Sequence, residues 1–379
     1  MTRYAEKRFK SIINKRKYVD SWFWDRYSIN PYNGCQFGCV FCDSRSNRYY
    51  LPTDFDNDII VKTGVGEMLD GRLSRARTLL PDVVGFSGST DPYQPAEARY
   101  GNTRQCLEIL AKHGYPVHIA TKSTLVLRDL DLLESMGRDG WCTVSLTITT
   151  ADSETARFLE KRAPNPRARF DVIRTVRREA GHVQTGVFLI PVVPFLCDSD
   201  RELEDVVRRS KEAGADYILF GGGMSMRDTQ ALWFMKHLAE RYPELVGAYE
   251  QLYGFRYDPS SYAGSYEPRG SYQLGVNGKL LSLCDKYDMP YRIKRYIPDD
   301  FRRESYMISE KLLNRSYLLQ VTGKAWKRIF WAGMNIQNLG ESLSDIAARG
   351  ELRNIRNVDE EMEDFILREL WSYPGEPGG

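Results

Sequence analysis

The sequence predicts an α/β chain, an open and partial (βα)6 TIM-like barrel with a C-terminal Tyr-rich and helical extension. Three observations predict it. Short apolar, β-rich runs alternate with longer helical patterns between residues 27 and 223. The units recur at roughly 30 residues or more, which asks for parallel strands joined by right-handed crossovers. Six such units are too few to close an eight-stranded barrel.

The six strands are expected at 27–30, 83–87 (VVGFS), 117–121 (VHIAT), 142–149 (CTVSLTIT), 185–193 (TGVFLIPVV) and 217–220 (YILF). Helical patterns fall at 59–76, 103–113, 130–136, 166–180, 200–213 and 228–241. Gly114, Gly181 and Gly214 stand where helix C-terminal glycines are expected. Ligands of parallel α/β folds gather at the C-terminal ends of the strands, so the loops after each strand are where chemistry should lie. Three regions follow: a basic and aromatic N-terminal arm at 1–26, the barrel at 27–242, and a C-terminal region at 243–379 packed on the barrel. That last region includes the Tyr-rich stretch LYGFRYDPSSYAGSYEPRGSY, and its tail YPGEPGG is expected to be disordered.

With 379 residues, 42% of them apolar, the chain can bury a large core. No apolar run reaches 18 residues, and MTRYAEKRFKSIINKRK lacks the apolar stretch of a secretory signal, so a cytoplasmic protein with no membrane partner is expected. An odd cysteine count, seven, argues against a disulfide framework. Cys106, Cys142, Cys197 and Cys284 stand alone and read as core thiols, with Cys142 in the fourth strand expected to approach the barrel interior. A net charge of +2 implies no polyanionic partner for the molecule as a whole. Locally, Lys7, Arg8, Lys10, Lys15, Arg16 and Lys17 precede Tyr18, Trp22, Phe23, Trp24 and Tyr27. That pattern reads either as a solvated cationic arm whose rings pack on the domain behind it, or as a contact surface for nucleic acid.

The first strand runs into NPYNGCQFGCVFCD, which sets Cys35, Cys39 and Cys42 within eight positions. At this cysteine frequency, two further cysteines at those offsets arise by accident on the order of three times in ten thousand. Three thiolates bind zinc or an iron–sulfur cluster. Structural zinc usually takes four ligands in two knuckles, and no second knuckle exists; His113, His118, His182 and His237 are isolated. A cubane held by three cysteines leaves one iron open as a binding position.

Cys-x3-Cys-x2-Cys after the first strand of a partial barrel resembles the radical S-adenosylmethionine superfamily. The wording NPYNGCQFGCVFCDSRS, GFSGSTDPYQPAE, ATKS, SLTITT, EKRAPNPRARF and FLIPVVPF resembles its spore photoproduct lyase-like branch, also labelled DNA repair photolyases. The likeness covers roughly residues 12 to 300. It implies a [4Fe-4S] cluster on Cys35, Cys39 and Cys42, with S-adenosyl-L-methionine chelated at the open iron. It implies that Phe41 lies against the adenine, that Ser87, Thr90 and Asp91 accept from the cofactor's ammonium, and that Lys122 and Ser145 contact the cofactor. The resemblance leaves two readings for Glu160 and Arg162: a guanidinium fork to the methionine carboxylate, or a surface ion pair. Reductive cofactor cleavage, an electron donor such as flavodoxin or ferredoxin, and hydrogen abstraction from a substrate follow from the same resemblance. The substrate it suggests is a nucleic acid; a peptide or small metabolite, or a non-catalytic zinc-binding module, are the competing readings. The likeness also has gaps. The lyase has a hydrogen-donating cysteine after its second strand and a tyrosine on each side of its last cluster cysteine; here those places read FSGSTD, Phe41 and Asp43.

Overall fold

A computed structural model describes residues 1–51, 54–86 and 88–372. Its seven-stranded sheet contains β2 (Ile13–Lys15), β3 (Tyr27–Ile29), β6 (Val84–Phe86), β7 (Val117–Thr121), β8 (Cys142–Thr147), β9 (Val183–Leu189) and β10 (Tyr217–Phe220). From β3 through β6, β7, β8 and β9 to β10 every neighbour is parallel, and β2 adds an antiparallel edge on β3. This is the six-stranded parallel run expected from the sequence. A second sheet, which the sequence reading did not foresee, orders β1 (Arg3–Lys7), β5 (Asp58–Lys62) and β4 (Tyr32–Asn33).

The helices are α1 (Val65–Ser74), α2 (Pro95–Tyr100), α3 (Asn102–Lys112), α4 (Leu130–Asp139), α5 (Ser153–Leu159), α6 (Pro166–Glu179), α7 (Asp200–Glu212), α8 (Asp228–Arg241), α9 (Val246–Tyr253) and α10 (Gly270–Lys286). Of these, α1, α3, α4, α6, α7 and α10 cover the outward faces of the strands: Val117, Ile119, Val144, Leu146, Val187, Ile218 and Phe220 share one core with Leu107, Leu133, Ile173, Val207 and Leu280. Pleating sends the alternate residues inward. His118, Ser145 and Tyr217 point to that inner face and bond to one another: Ser145 Oγ lies 2.7 Å from His118 Nε2 and 2.5 Å from the Tyr217 hydroxyl. Cys142, an odd number of residues from Ser145, therefore faces the helices, in the core with Leu133 and Met136, and not the barrel interior as expected. Gly114 and Gly214 take positive φ, whereas Gly181 does not.

The helical reading of 59–76 is corrected at its start. Ile59, Ile60 and Val61 are β-branched and pair with β1, and Gly64 at φ +67° starts α1 after a turn. The three expected regions also divide differently. Met1–Lys15 and Tyr27–Ile293 form one compact unit, and Arg16–Arg26 joins the chain from Lys294 onward in another. Residues 1–15 supply two strands and so are no free arm. Residues 243–293 belong with the barrel unit, because Tyr249 and Tyr253 pack with Phe234 and Cys197, and Val276 and Leu280 enter the main core.

The second unit holds α11 (Arg303–Val321), α12 (Lys327–Ile336), α13 (Leu343–Ala348) and α14 (Glu360–Ser372). Its core includes Ile308, Leu312, Ile329, Ile336, Leu343 and Ile366. The arm's rings are used in packing here: Trp22 meets Tyr317 edge-on at 5.4 Å, Tyr18 meets Trp331 at 6.4 Å, and Arg295 lies 4.8 Å over Trp24. Among the described residues no helix is long and apolar enough to cross a membrane. The tail YPGEPGG lies outside the described residues.

Candidate active site at the strand ends

The cysteine loop begins directly after β4. Gly34, at φ +81°, turns the chain so closely against β5 that a Cβ there would stand 2.6 Å from the Asp58 carbonyl oxygen. Only glycine fits both that conformation and that space. Backbone bonds then pin the loop on both sides: Cys35 N–H donates to Phe55 O at 2.9 Å, Val40 N–H to Leu159 O at 2.9 Å, and Arg162 N–H to Phe37 O at 3.0 Å. The Gly34 carbonyl accepts from Thr90 Oγ1 at 2.6 Å and from Gln94 Nε2 at 3.0 Å. Gln94 also donates to Thr90 Oγ1 and accepts from Gln36 N–H, so the loop after β6 braces the cysteine loop.

Cys35 and Cys39 are buried and Cys42 nearly so, and all three are free thiols. Burial pushes the Cys35 thiol up to about 12, helped by Asp91 and Cys42. Burial lifts Cys39 well above the usual thiol range against the pull of Lys122, and lifts Cys42 against that of Arg45. Cys42 adds to the rise at Cys35, and Cys42 and Cys35 add to the rise at Cys39. Among the described residues, however, no three His, Cys, Asp or Glu side chains are close enough to hold a single ion. Thiolates on one zinc crowd within about 4 Å of each other, given Zn–S bonds near 2.3 Å. Three thiol donors are the set that a cubane with one open iron would take, and Lys122 and Arg45 beside them would offset its anionic charge.

The charged groups around the thiols come from loops the sequence only partly flagged. Lys122, after β7, lies 5.6 Å over the Phe41 ring and 3.7 Å from Glu160, too far for a hydrogen bond. Burial lowers the Lys122 ammonium's pKa, but Cys39 and Glu160 outweigh it and leave it raised. Glu160 is 2% exposed. Its partner is not Arg162 but Arg169, which also donates to Pro164 O and Thr147 O at 2.8 Å. Arg162 is exposed and reaches Asn57 Oδ1 at 3.1 Å and Asp56 O at 3.3 Å. The signal for Arg169 was present in EKRAPNPRARF: Pro166 opens α6, and Phe170, Ile173 and Val176 mark its buried face beside Arg169. Arg45 donates to Cys39 O at 3.0 Å, pairs with Asp56, and stacks 4.5 Å from the Trp233 ring.

Of the residues singled out in the sequence, the structure brings together Cys35, Cys39, Cys42, Phe41, Asp91 and Lys122. Asp91 accepts from Thr121 Oγ1 at 2.6 Å, Tyr93 N–H at 2.9 Å and Lys122 N–H at 2.8 Å, while burial raises its pKa. Thr90 is turned to the cysteine loop, and Ser145 to His118 and Tyr217 deeper in the barrel. Ser87 lies outside the described residues. Asp43 pairs with Arg227 and accepts from Tyr49 at 2.9 Å.

Comparison with known proteins agrees with this geometry. Residues 29–202 match the model of the Radical SAM superfamily. An uncharacterized protein of Mycobacterium tuberculosis is 36% identical over 266 residues, 69% of this chain and 74% of the relative. The chain belongs to the radical SAM superfamily. A radical SAM Nalpha-GlyT isomerase of Pseudomonas phage M6 is 28% identical over 199 residues, 52% of this chain and 39% of that protein. Spore photoproduct lyase complexed with dinucleoside spore photoproduct has a TM-score of 0.54 at 12% identity, over 75% of this chain and 79% of the lyase. A lyase variant with bound AdoMet and the same dinucleoside gives 0.51 at 14% identity, over 69% and 74%. Those likenesses carry the fold. The radical SAM chain is an enzyme, which sets aside the zinc-module reading.

Proposed function

We propose that this radical SAM enzyme holds a [4Fe-4S] cluster on Cys35, Cys39 and Cys42, binds S-adenosyl-L-methionine beside it, and acts on a nucleic acid. One observation carries the reading: three thiols, two buried and one half-buried, share one loop, and beside them at the end of β7 stands the Lys122 ammonium, which has no hydrogen bond among the described residues. When bound, cluster and cofactor supply a reductive cleavage whose 5′-deoxyadenosyl radical removes a hydrogen atom from substrate.

The chain's own groups do the rest. Lys122 offers donors to the cofactor's oxygens, and Phe41 offers an apolar face to a flat ring. Asp91, its carboxylate held by three donors, keeps the strand ends in register. Arg45 and Lys122 balance anionic charge where burial makes charge costly. Glu160, fixed by Arg169, orients Lys122. A flavodoxin or ferredoxin is the proposed electron donor, and a cytoplasmic location goes with that partner. The nucleic-acid substrate is supported by the dinucleoside that the lyase structures hold and by the basic segment 7–17.

The test is anaerobic reconstitution with iron and sulfide. The expected product is brown, absorbs broadly near 400 nm, and releases 5′-deoxyadenosine on addition of reductant and S-adenosylmethionine. Colourless protein holding stoichiometric zinc under the same conditions overturns the proposal.

A further inference from the structure

The basic segment that opens the chain is not used by the site just described, yet the fold gives it a place. Arg8, Phe9 and Lys10 leave β1 and turn along α1, and together they line a cavity of about 560 Å³ with Glu67, Gly71, Arg72 and Arg75. Four cations face it against one carboxylate. Glu67 is already engaged by Arg8 at 3.2 Å, in a pair about 70% exposed or more on each side and therefore weak. Lys10 and Arg72 have no acidic partner among the described residues. Arg75 Nε donates to Gly71 O at 2.8 Å, which holds its guanidinium over the helix.

Gly71 is informative because glycine inside a helix costs about 1 kcal/mol relative to Ala. A Cβ at 71 would stand 3.2 Å from Arg75 Nη2. The missing side chain keeps the floor open and lets the guanidinium lie flat. Phe9, with Lys62 4.9 Å over its ring, closes one wall. The cleft is also tied to the cysteine loop: Gln36, next to Cys35, donates to the Tyr4 hydroxyl at 3.1 Å. From Tyr4 to Arg8 is four residues of largely extended chain, about 13 Å.

We propose that this cleft binds the backbone phosphates of a nucleic-acid strand whose reacting nucleotide lies at the cysteine loop. The proposal rests on the nucleic-acid reading above and adds the surface that holds the strand. Arginines and a lysine on two converging elements suit successive phosphates, and such contacts fix register without reading sequence.

The test is fluorescence anisotropy of the full chain with a fluorescein-labelled single-stranded 20-mer, titrated across salt. Arg72→Ala/Arg75→Ala should weaken binding on the order of tenfold near 0.1 M salt. Its salt slope should flatten by about 1.4, since each lost phosphate contact on a single strand removes about 0.7. Arg72→Lys/Arg75→Lys should recover most of the affinity. Arg174→Ala/Arg178→Ala removes equal charge from α6 and should leave the slope unchanged. Equal effects of the two alanine pairs, or an unchanged slope in the first, overturn the cleft while the nucleic-acid reading stands. No binding by the unaltered protein at low salt overturns the reading itself, and the cleft with it. Displacement of the 20-mer by inorganic phosphate beyond what chloride achieves at matched ionic strength assigns the cleft to a single phosphate and overturns the strand.

Discussion

Two polar networks lie on the inner side of the same sheet, and they differ in kind. At the strand ends, Lys122, Glu160 and Arg169 form ion pairs near the thiols; deeper, His118, Ser145 and Tyr217 hydrogen-bond to one another, with Phe188 edge-on to His118 at 5.5 Å. Lys122 and His118 stand on one strand and its end, four residues apart. Two hydroxyls and an imidazole that bond to one another are partnered inside the barrel. A lysine there needs a counter-charge and keeps spare donors. The difference separates a group placed for packing from one placed for a ligand, even though both are polar, buried and inward.

The largest expected effect breaks the upper network at its metal end. Cys39→Ala should lose iron, colour and 5′-deoxyadenosine release entirely, while Cys142→Ala, whose thiol faces the helices, keeps all three. Loss of iron in the Cys142 variant with retention in the Cys39 variant would reverse the assignment. Next comes Arg169→Ala, which leaves Glu160 as a buried carboxylate with a distant ammonium and one hydroxyl, Thr149 Oγ1 at 3.3 Å. Breaking such a pair costs about 3–5 kcal/mol, visible as a lowered urea midpoint. An unchanged midpoint means that water replaces the guanidinium at Glu160 at little cost.

A finer comparison sets Lys122→Ala against Ser145→Ala. The first should keep the cluster's colour and weaken S-adenosylmethionine binding about tenfold to a hundredfold, as loss of a charge-assisted bond of roughly 1.5–3 kcal/mol requires. The second should cost about 1–3 kcal/mol of stability, by leaving His118 and Tyr217 short of a partner, with cofactor affinity intact. Calorimetric titration reads both; a swapped pattern would show that the deeper network is the binding one.

The smallest effect is a pH dependence. His237 lies 4.5 Å from the Trp233 ring that supports Arg45, and burial lowers its pKa, with Lys161 and Arg45 adding to that and Glu240 opposing. Protonation therefore favours the unfolded chain. The stability this group supplies is full above its unfolded value near 6.5, begins to fall below it, and is gone once the pH is under the lower folded value. Thermal melts from pH 8 to 5 should show that slope, and His237→Gln should flatten it.

Much of this was legible in the sequence because it rests on local pattern. Amphipathic spacing located α6, α7 and α8, and the cysteine offsets located the loop. What escaped has long-range causes. β5 reads DIIVK, a β-branched run whose strand character depends on pairing with β1 more than fifty residues earlier. Thr90 follows β6 and Ser145 lies within β8, but which neighbour takes a hydroxyl is decided by packing: Gly34 for one, His118 and Tyr217 for the other. Arg162 and Arg169 both follow Glu160, and only the helical face of α6 turns one of them inward.

The bonds that shape the cysteine loop all join protein to protein: Cys35 to Phe55, Val40 to Leu159, Arg162 to Phe37, and Thr90 and Gln94 to Gly34. None of them needs iron. In small zinc modules the metal's binding energy is also the folding energy, so chelators unfold them. Here protein hydrogen bonds hold the loop, so its conformational entropy would be lost as the barrel folds. The proposed cluster would then be inserted into a ready frame. Stripping the cluster should leave the melting temperature set by the barrel and not by the iron.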